Sequence, residues 1–235
     1  MLNLLYRIYR RLVPISTIPS PLSENGERVD IDLCSKPLYT LMDMYQKSHY
    51  KRYVFAKRYV RPGMVCGDFA CGSGYGSALL AEVADRVTGI DIKQSVVDVV
   101  AKRYAARTNI QFICHDLRAI TFDSDYDIIV SFETVEHVAE QDVIVLFRNY
   151  AKALKSGGTL IFSTPYLQKR TREAIEMGFH LTFEIDETKI SDWLVQAGLS
   201  PESFFYQNYK AHDVVTSLAD KDFIICIAKK TTGNE

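Results

Sequence analysis

From Asp68 to Gly76 the chain runs Asp-Phe-Ala-Cys-Gly-Ser-Gly-Tyr-Gly. Glycines at 72, 74 and 76 let an apolar run turn sharply into a helix and let a ligand lie against bare backbone. Such a turn marks a nucleotide-like cofactor site. Acidic residues then recur where the following apolar runs end. They are Asp91 in Gly89-Ile90-Asp91-Ile92, Asp116 in Cys114-His115-Asp116-Leu117, and Glu133 in Ser131-Phe132-Glu133. A carboxylate about 20 residues past the glycine turn is placed to accept both hydroxyls of a ribose. Asp116 stands where a carboxylate can accept from an adenine amino group. The third glycine comes one residue too early for G-x-G-x-x-G, and Asp68 ahead of the turn would repel a pyrophosphate. The pattern favours a nucleoside with an amino-acid end, whose ammonium Asp68 would help hold through backbone and water contacts.

Those residues need strands and helices to position them. Val65 to Ala70 reads as a strand and Tyr75 to Ala84 as a helix. Val87 to Ile90 is a strand and Gln94 to Arg107 a helix. Strands follow at Ile110 to Cys114 and Asp127 to Ser131, then a helix at Asp142 to Leu154 and a strand at Thr159 to Ser163. Short apolar strands alternating with helices predict an α/β fold whose parallel sheet is covered on both faces. Pro165 to Ile185 has no clear period. Glu187 to Ala197 reads as a helix ended by Gly198, and Ser203 to Tyr206 with Asp222 to Ala228 as a last strand pair, antiparallel at the sheet edge. Upstream, Leu38 to Tyr59 has helical periodicity and many tyrosines, while Ile15 to Pro37 reads as loop or extended chain.

With 235 residues, 47% hydrophobic and 24% charged, the chain has the profile of one ordinary soluble domain. A formal net charge of -1 gives no case for nucleic acid. Five dispersed cysteines, none in a CxxC pair, suit a reducing cytoplasm and argue against a disulfide framework or a zinc site. Between Met1 and Val13, apolar residues at helical spacing alternate with Arg7, Arg10 and Arg11. This reads as a short basic amphipathic helix, suited to peripheral contact with a membrane surface or to packing on protein.

Taken together, these motifs resemble class I S-adenosylmethionine-dependent methyltransferases over about Tyr50 to Leu199. Asp68 to Gly74 resembles the family's first motif, and Gly89-Ile90-Asp91 its second-strand acidic motif. Tyr126 to Val138, with Glu133-Thr134-Val135-Glu136-His137, is similar to the fourth-strand motif of the ubiquinone-biosynthesis-like branch. Leu154-Lys155-Ser156-Gly157-Gly158-Thr159-Leu160 is similar to that branch's approach to the fifth strand. Upstream, Asn25-Gly26-Glu27-Arg28-Val29 and His49-Tyr50-Lys51-Arg52-Tyr53 look like a subgroup associated with bacterial glycan assembly.

The resemblance implies a Rossmann-like domain over residues 61–235, behind an N-terminal helical extension over 1–60. Its sheet would be seven-stranded and mostly parallel, with an antiparallel edge strand. The implied cofactor is S-adenosyl-L-methionine. Its contacts would be Ala70, Cys71, Gly72, Ser73, Gly74, Asp91, Ile92, Asp116, Leu117, Ser131 and Glu133, with Asp68 behind the turn and Arg52 and Tyr53 as a clamp, Arg52 on the cofactor's carboxylate. The implied reaction is methylation of a small molecule, with a sugar or glycan oxygen as the leading acceptor and a quinone-like aromatic as the other. A non-catalytic module that kept the cofactor pocket is the alternative outside enzymes.

An alcohol nucleophile needs a base or a metal. His137, just past the fourth strand, is the first candidate, with Glu136 or Glu133 to orient it. His180, in the unpatterned segment that forms part of the acceptor pocket in relatives, is the second. Each also has a purely structural reading, His137 as a helix cap and His180 as a loop residue. No DxD-like acidic cluster stands out, so no metal is expected.

Overall fold

A computed structural model of the chain describes Leu22, residues 28–35 and residues 39–231. The amphipathic helix expected between Met1 and Val13 lies outside the described residues. Helix α1 spans Met44–Lys57. Its start is set by Asp43, whose carboxylate accepts from Gln46 N while the Gln46 side chain accepts from Asp43 N, a reciprocal cap that satisfies two otherwise orphaned donors. The alternating region then folds as β1 (Val65–Phe69), α2 (Tyr75–Leu80), β2 (Arg86–Asp91), α3 (Gln94–Arg103), β3 (Ile110–Cys114), β4 (Tyr126–Phe132), α4 (Glu140–Ala153) and β5 (Leu154–Pro165). The short helix α5 (Arg172–Met177), α6 (Glu187–Gln196), β6 (Leu199–Gln207) and β7 (Phe223–Lys230) complete the chain.

The seven strands form one sheet in the order β3-β2-β1-β4-β5-β7-β6. Strands β1 to β5 pair in parallel, while β7 pairs antiparallel with both β5 and β6. The expected seven-stranded, mostly parallel sheet is therefore present, with one reversed strand, β7, which lies inside the edge strand β6. The later strand takes the inner place. Phe223-Ile224-Ile225-Cys226-Ile227-Ala228 is buried throughout, which an inner strand needs; β6 carries Pro201 and Glu202 and takes the edge, where a residue without an N–H is tolerated.

Most boundaries agree with the periodicity. Three helices are shorter than their patterns, among them α1, which spans Met44–Lys57 rather than Leu38 to Tyr59. Helix α2 stops at Leu80 and α3 at Arg103, and in each case turns carry the chain to the next strand. Within the unpatterned segment, Thr171 caps α5 by accepting from Ala174 N.

Apolar residues fill both faces of the sheet. On one, Phe69, Ile129, Phe162 and Ile224 pack with Leu146, Phe147 and Tyr150 of α4 and Trp193 and Leu194 of α6. On the other, Val130, Ile161 and Ile225 pack with Tyr53, Phe55 and Ala56 of α1 and Leu79 and Leu80 of α2. Phe69 meets Tyr126 and Tyr150 edge-on, with centroids 5.5 and 5.2 Å away. Each such pair adds about 0.5–1.5 kcal/mol beyond the area it buries. This rigid middle holds the carboxyl ends of β1 and β4, the adjacent strands from which the strand order runs outward in opposite directions. In open α/β sheets that switch point is where ligands bind.

Candidate functional site

A cleft of about 620 Å³ opens at these strand ends. Its wall includes the backbone of Ala70 to Ser73 after β1, Asp91 and Ile92 after β2, Asp116 and Leu117 after β3, and Glu133, Thr134 and His137 after β4. Ala70 and Glu133 both hold left-handed backbone, with φ 64° and 51°. Non-glycine residues seldom adopt this conformation, and it gathers where a fold aims a ligand site. Gly72 has φ 52°, and a methyl placed on it would meet no atom within 4 Å. Gly76 is a glycine for another reason. An added Cβ would lie 2.1 Å from the Tyr53 ring, so its bareness lets α1 lie against α2.

The carboxylates divide by what holds them. Asp68 is fully buried; it accepts from Tyr53 Oη at 2.8 Å and Ser77 Oγ at 2.6 Å and ties β1 to both helices. Burial raises its pKa to about 6 against those two bonds. It is not among the residues of the cleft wall, and each of its oxygens accepts one inward hydrogen bond. Asp91 does face the cleft. It accepts from Lys93 N at 2.9 Å and pairs with Arg28 at 3.1 Å. Asp116 also lines the cleft and is gripped by Arg118, whose hydrogen bonds hold its carboxyl below the usual range.

Arg52 has no exposed surface. Its Nη1 donates to Glu133 Oε1 at 2.9 Å, and its guanidinium lies 4.3 Å from the Phe223 ring centroid. Glu133 accepts also from Ser163 Oγ at 2.7 Å. Arg52 thus sits behind Glu133 rather than on the wall, whereas Tyr53 is on the wall. Ser131 and Gly74 lie off the wall as well. Ser131 bonds Tyr150 Oη at 3.0 Å in the core, and Gly74 caps α2 with φ 75°.

At the far end of the cleft stand His49, His137, Phe179 and Leu181. Burial and the nearby Arg52 push the His49 pKa well down, which keeps that ring neutral. His137 Nδ1 lies 2.9 Å from Phe179 O. A carbonyl only accepts, so Nδ1 carries the proton and Nε2 the lone pair. Glu136, next to it, is buried; its Oε2 accepts from Thr164 Oγ1 at 3.0 Å, and burial beside Glu133 raises its pKa well above the usual range. His180 packs edge-on against His137, centroids 5.0 Å apart, and its Nδ1 is hydrogen-bonded to Gln168 Oε1. Burial and His137 lower the His180 pKa to about 4.

The structure therefore brings Glu136, His137 and His180 together, although 43 positions separate the two histidines. Among wall residues that sequence reasoning did not assign are Arg28, Tyr75, Thr134 and Phe179. Arg28 had a signal in its Gly-Glu-Arg context; Phe179 had none.

Two observations suit the implied cofactor. Bare backbone faces the cleft at Gly72, with a carboxylate on the next strand at Asp91. In addition, Tyr75 Oη on the wall and Arg52 Nε and Nη2 behind it are buried without hydrogen-bond partners, which an amino-acid carboxylate would supply.

Comparison with known proteins agrees with this geometry. Residues 67–158 match the family model described as a methyltransferase domain. Over 100 residues the chain is 39% identical to the ubiquinone biosynthesis O-methyltransferase of Coxiella burnetii, covering 41% of this chain and 42% of that one. Over 101 residues it is 36% identical to the protein of the same description from Hydrogenovibrio crunogenus, covering 41% of each. The chain thus spans less than half the length of these relatives. Among solved structures, the N-methyltransferase NodS of Bradyrhizobium japonicum, in complex with S-adenosyl-L-homocysteine, superposes with a TM-score of 0.64 at 16% identity, over 87% of this chain and 94% of that one. An S-adenosylmethionine-dependent methyltransferase from Mesorhizobium loti gives 0.63 at 19% identity, over 77% and 99%. Over residues 67–158 the chain is thus similar to a methyltransferase domain, and its fold is that of solved S-adenosylmethionine-dependent methyltransferases.

Proposed function

We propose that the protein transfers a methyl group from S-adenosylmethionine to a hydroxyl of a small molecule. The observation that carries this reading is the layout of the cleft. One end offers glycine backbone and Asp91, and the other offers His137, whose Nδ1 donates to Phe179 O and whose ring packs edge-on against His180. The cofactor supplies an electrophilic methyl on a sulfonium. The chain's residues orient the reactants and keep water out. Asp91 would receive the ribose diol and Tyr75 would face the amino-acid carboxylate, with the Arg52 guanidinium buried behind the wall. Nε2 of His137 would take the acceptor's proton, and the bound cofactor would supply its methyl to the acceptor oxygen, its sulfur keeping the electron pair of the broken carbon–sulfur bond.

The leading acceptor is a sugar or glycan intermediate, by the upstream Gly-Glu-Arg and His-x-x-Arg-Tyr segments. A phenolic, quinone-like acceptor is the second reading, favoured by the description of the relatives that share 36–39% identity. Calorimetry with S-adenosylhomocysteine tests the pocket, and binding of NAD in its place would sink the reading. Labelled-methyl transfer to a panel of sugar nucleotides and of dihydroxyphenols then separates the two acceptor classes.

A further inference from the structure

We propose that Arg28 and Val29 form the tip of an autoinhibitory latch, which closes the nucleoside corner of the cleft until a ligand lifts it away. The inference rests on the cofactor reading above. Two consecutive residues engage two of the expected cofactor contacts at once. Arg28 Nη2 donates to Asp91 Oδ1 at 3.1 Å, and Ser73 Oγ donates to Val29 O at 2.9 Å. Asp91 ends β2 and Ser73 stands in the glycine turn after β1, so the tip bridges the carboxyl ends of two adjacent strands. Arg28 and Val29 are themselves part of the cleft wall.

The residues that follow fasten the latch to the body of the domain. The Asp30 carboxylate accepts from both Nη atoms of Arg103, the last residue of α3, and the Asp30 carbonyl accepts from Gln46 Nε2 at 2.8 Å. Ile31 is buried on the sheet face that α1 covers, and Cys34 Sγ donates to Arg103 O at 3.4 Å. None of these anchoring residues lines the cleft.

Tip and anchor are therefore held differently. A bidentate ion pair and apolar burial secure the anchor, whereas one guanidinium contact and one neutral hydrogen bond hold the tip. The Arg28 side chain keeps 17% of its surface exposed, so it can return to water at small cost. A ribose offering hydroxyls to Asp91 binds the open form and shifts the population toward it. While the latch is shut, the apparent affinity falls by the fraction of molecules that are open.

The test is calorimetry with S-adenosylhomocysteine on the full chain, on Arg28→Gln and on Arg28→Lys. This ligand lacks the sulfonium charge, so loss of a cation from the protein does not by itself attract it. Arg28→Gln should bind about threefold or more tightly than the parent. Arg28→Lys, which keeps a cation beside Asp91, should stay closer to the parent. Unchanged or weaker binding by Arg28→Gln overturns the latch, and weaker binding would make Arg28 a ligand contact instead. Equal tightening by both variants overturns a latch held by charge. Binding by none of the three proteins removes the cofactor reading itself, and the latch with it.

Discussion

The two ends of the cleft are built in opposite ways. Most of the cofactor end comes from one stretch of chain: β1, the glycine turn, α2 and β2 supply wall residues within 65–92, joined by Asp116 and Leu117 after β3. The acceptor end is assembled from distant pieces, with His137 after β4 held by Phe179 and His180 bound to Gln168 across the segment between β5 and α6. Contiguous construction makes the first end local and recognisable. Dispersed construction leaves the second free to vary with the acceptor, as loop-built pockets do.

If the ends are separable, a change at one should leave the other's readout alone. The largest effect belongs to His137→Ala. Turnover should fall by about 10²- to 10⁴-fold, the usual range for a group that activates a nucleophile, while calorimetric affinity for S-adenosylhomocysteine stays constant. Coupled loss of both would break the comparison. Asp91→Ala tests the converse. Losing hydrogen bonds to a charged group costs about 1.5–3 kcal/mol, so cofactor affinity should drop by roughly 10- to 150-fold.

Two smaller effects sharpen the picture of how the cofactor end is supported. Gly76→Ala forces a methyl into the Tyr53 ring. Overpacking of this kind costs about 1–3 kcal/mol, read as a lower denaturation midpoint. Asp68 supplies a pH signature. Its folded pKa, about 6, lies above the ordinary aspartate value of 3.8. The folded state therefore holds the proton more tightly, and this group's contribution to stability is greatest below pH 4 and falls as pH rises to about 6. Asp68→Asn should flatten that part of the stability–pH profile relative to the parent. An unchanged slope would show that Asp68 is not the group responsible.

How legible these parts were follows from the same contrast. The strand alternation, the glycine turn and Asp91 could be read because each depends on short-range pattern: an apolar run, a left-handed turn, a carboxylate at a strand end. Asp68 was readable as a residue but not as a role, since only the fold shows Tyr53 and Ser77 consuming its oxygens. Arg52 likewise lies behind Glu133, because α1 packs on the sheet beside Phe223, a partner 171 positions away. Glu136, His137 and His180 were each readable as chemistry-bearing residues, but their meeting was not, because no fixed spacing links a residue after β4 to one before α6. The inner place of β7 was hidden too, although its unbroken apolar run was the cue.

The contact between Arg28 and Asp91 has a consequence for any affinity measured on this protein. That carboxylate already has a cationic tenant, supplied by the chain itself, and a nucleoside reaching it meets competition before it meets a vacancy. What a titration reports is therefore an exchange, the gain from two sugar hydroxyls less the loss of a guanidinium. Because salt weakens the guanidinium contact more than it weakens neutral hydroxyls, ionic strength tilts that exchange toward the newcomer.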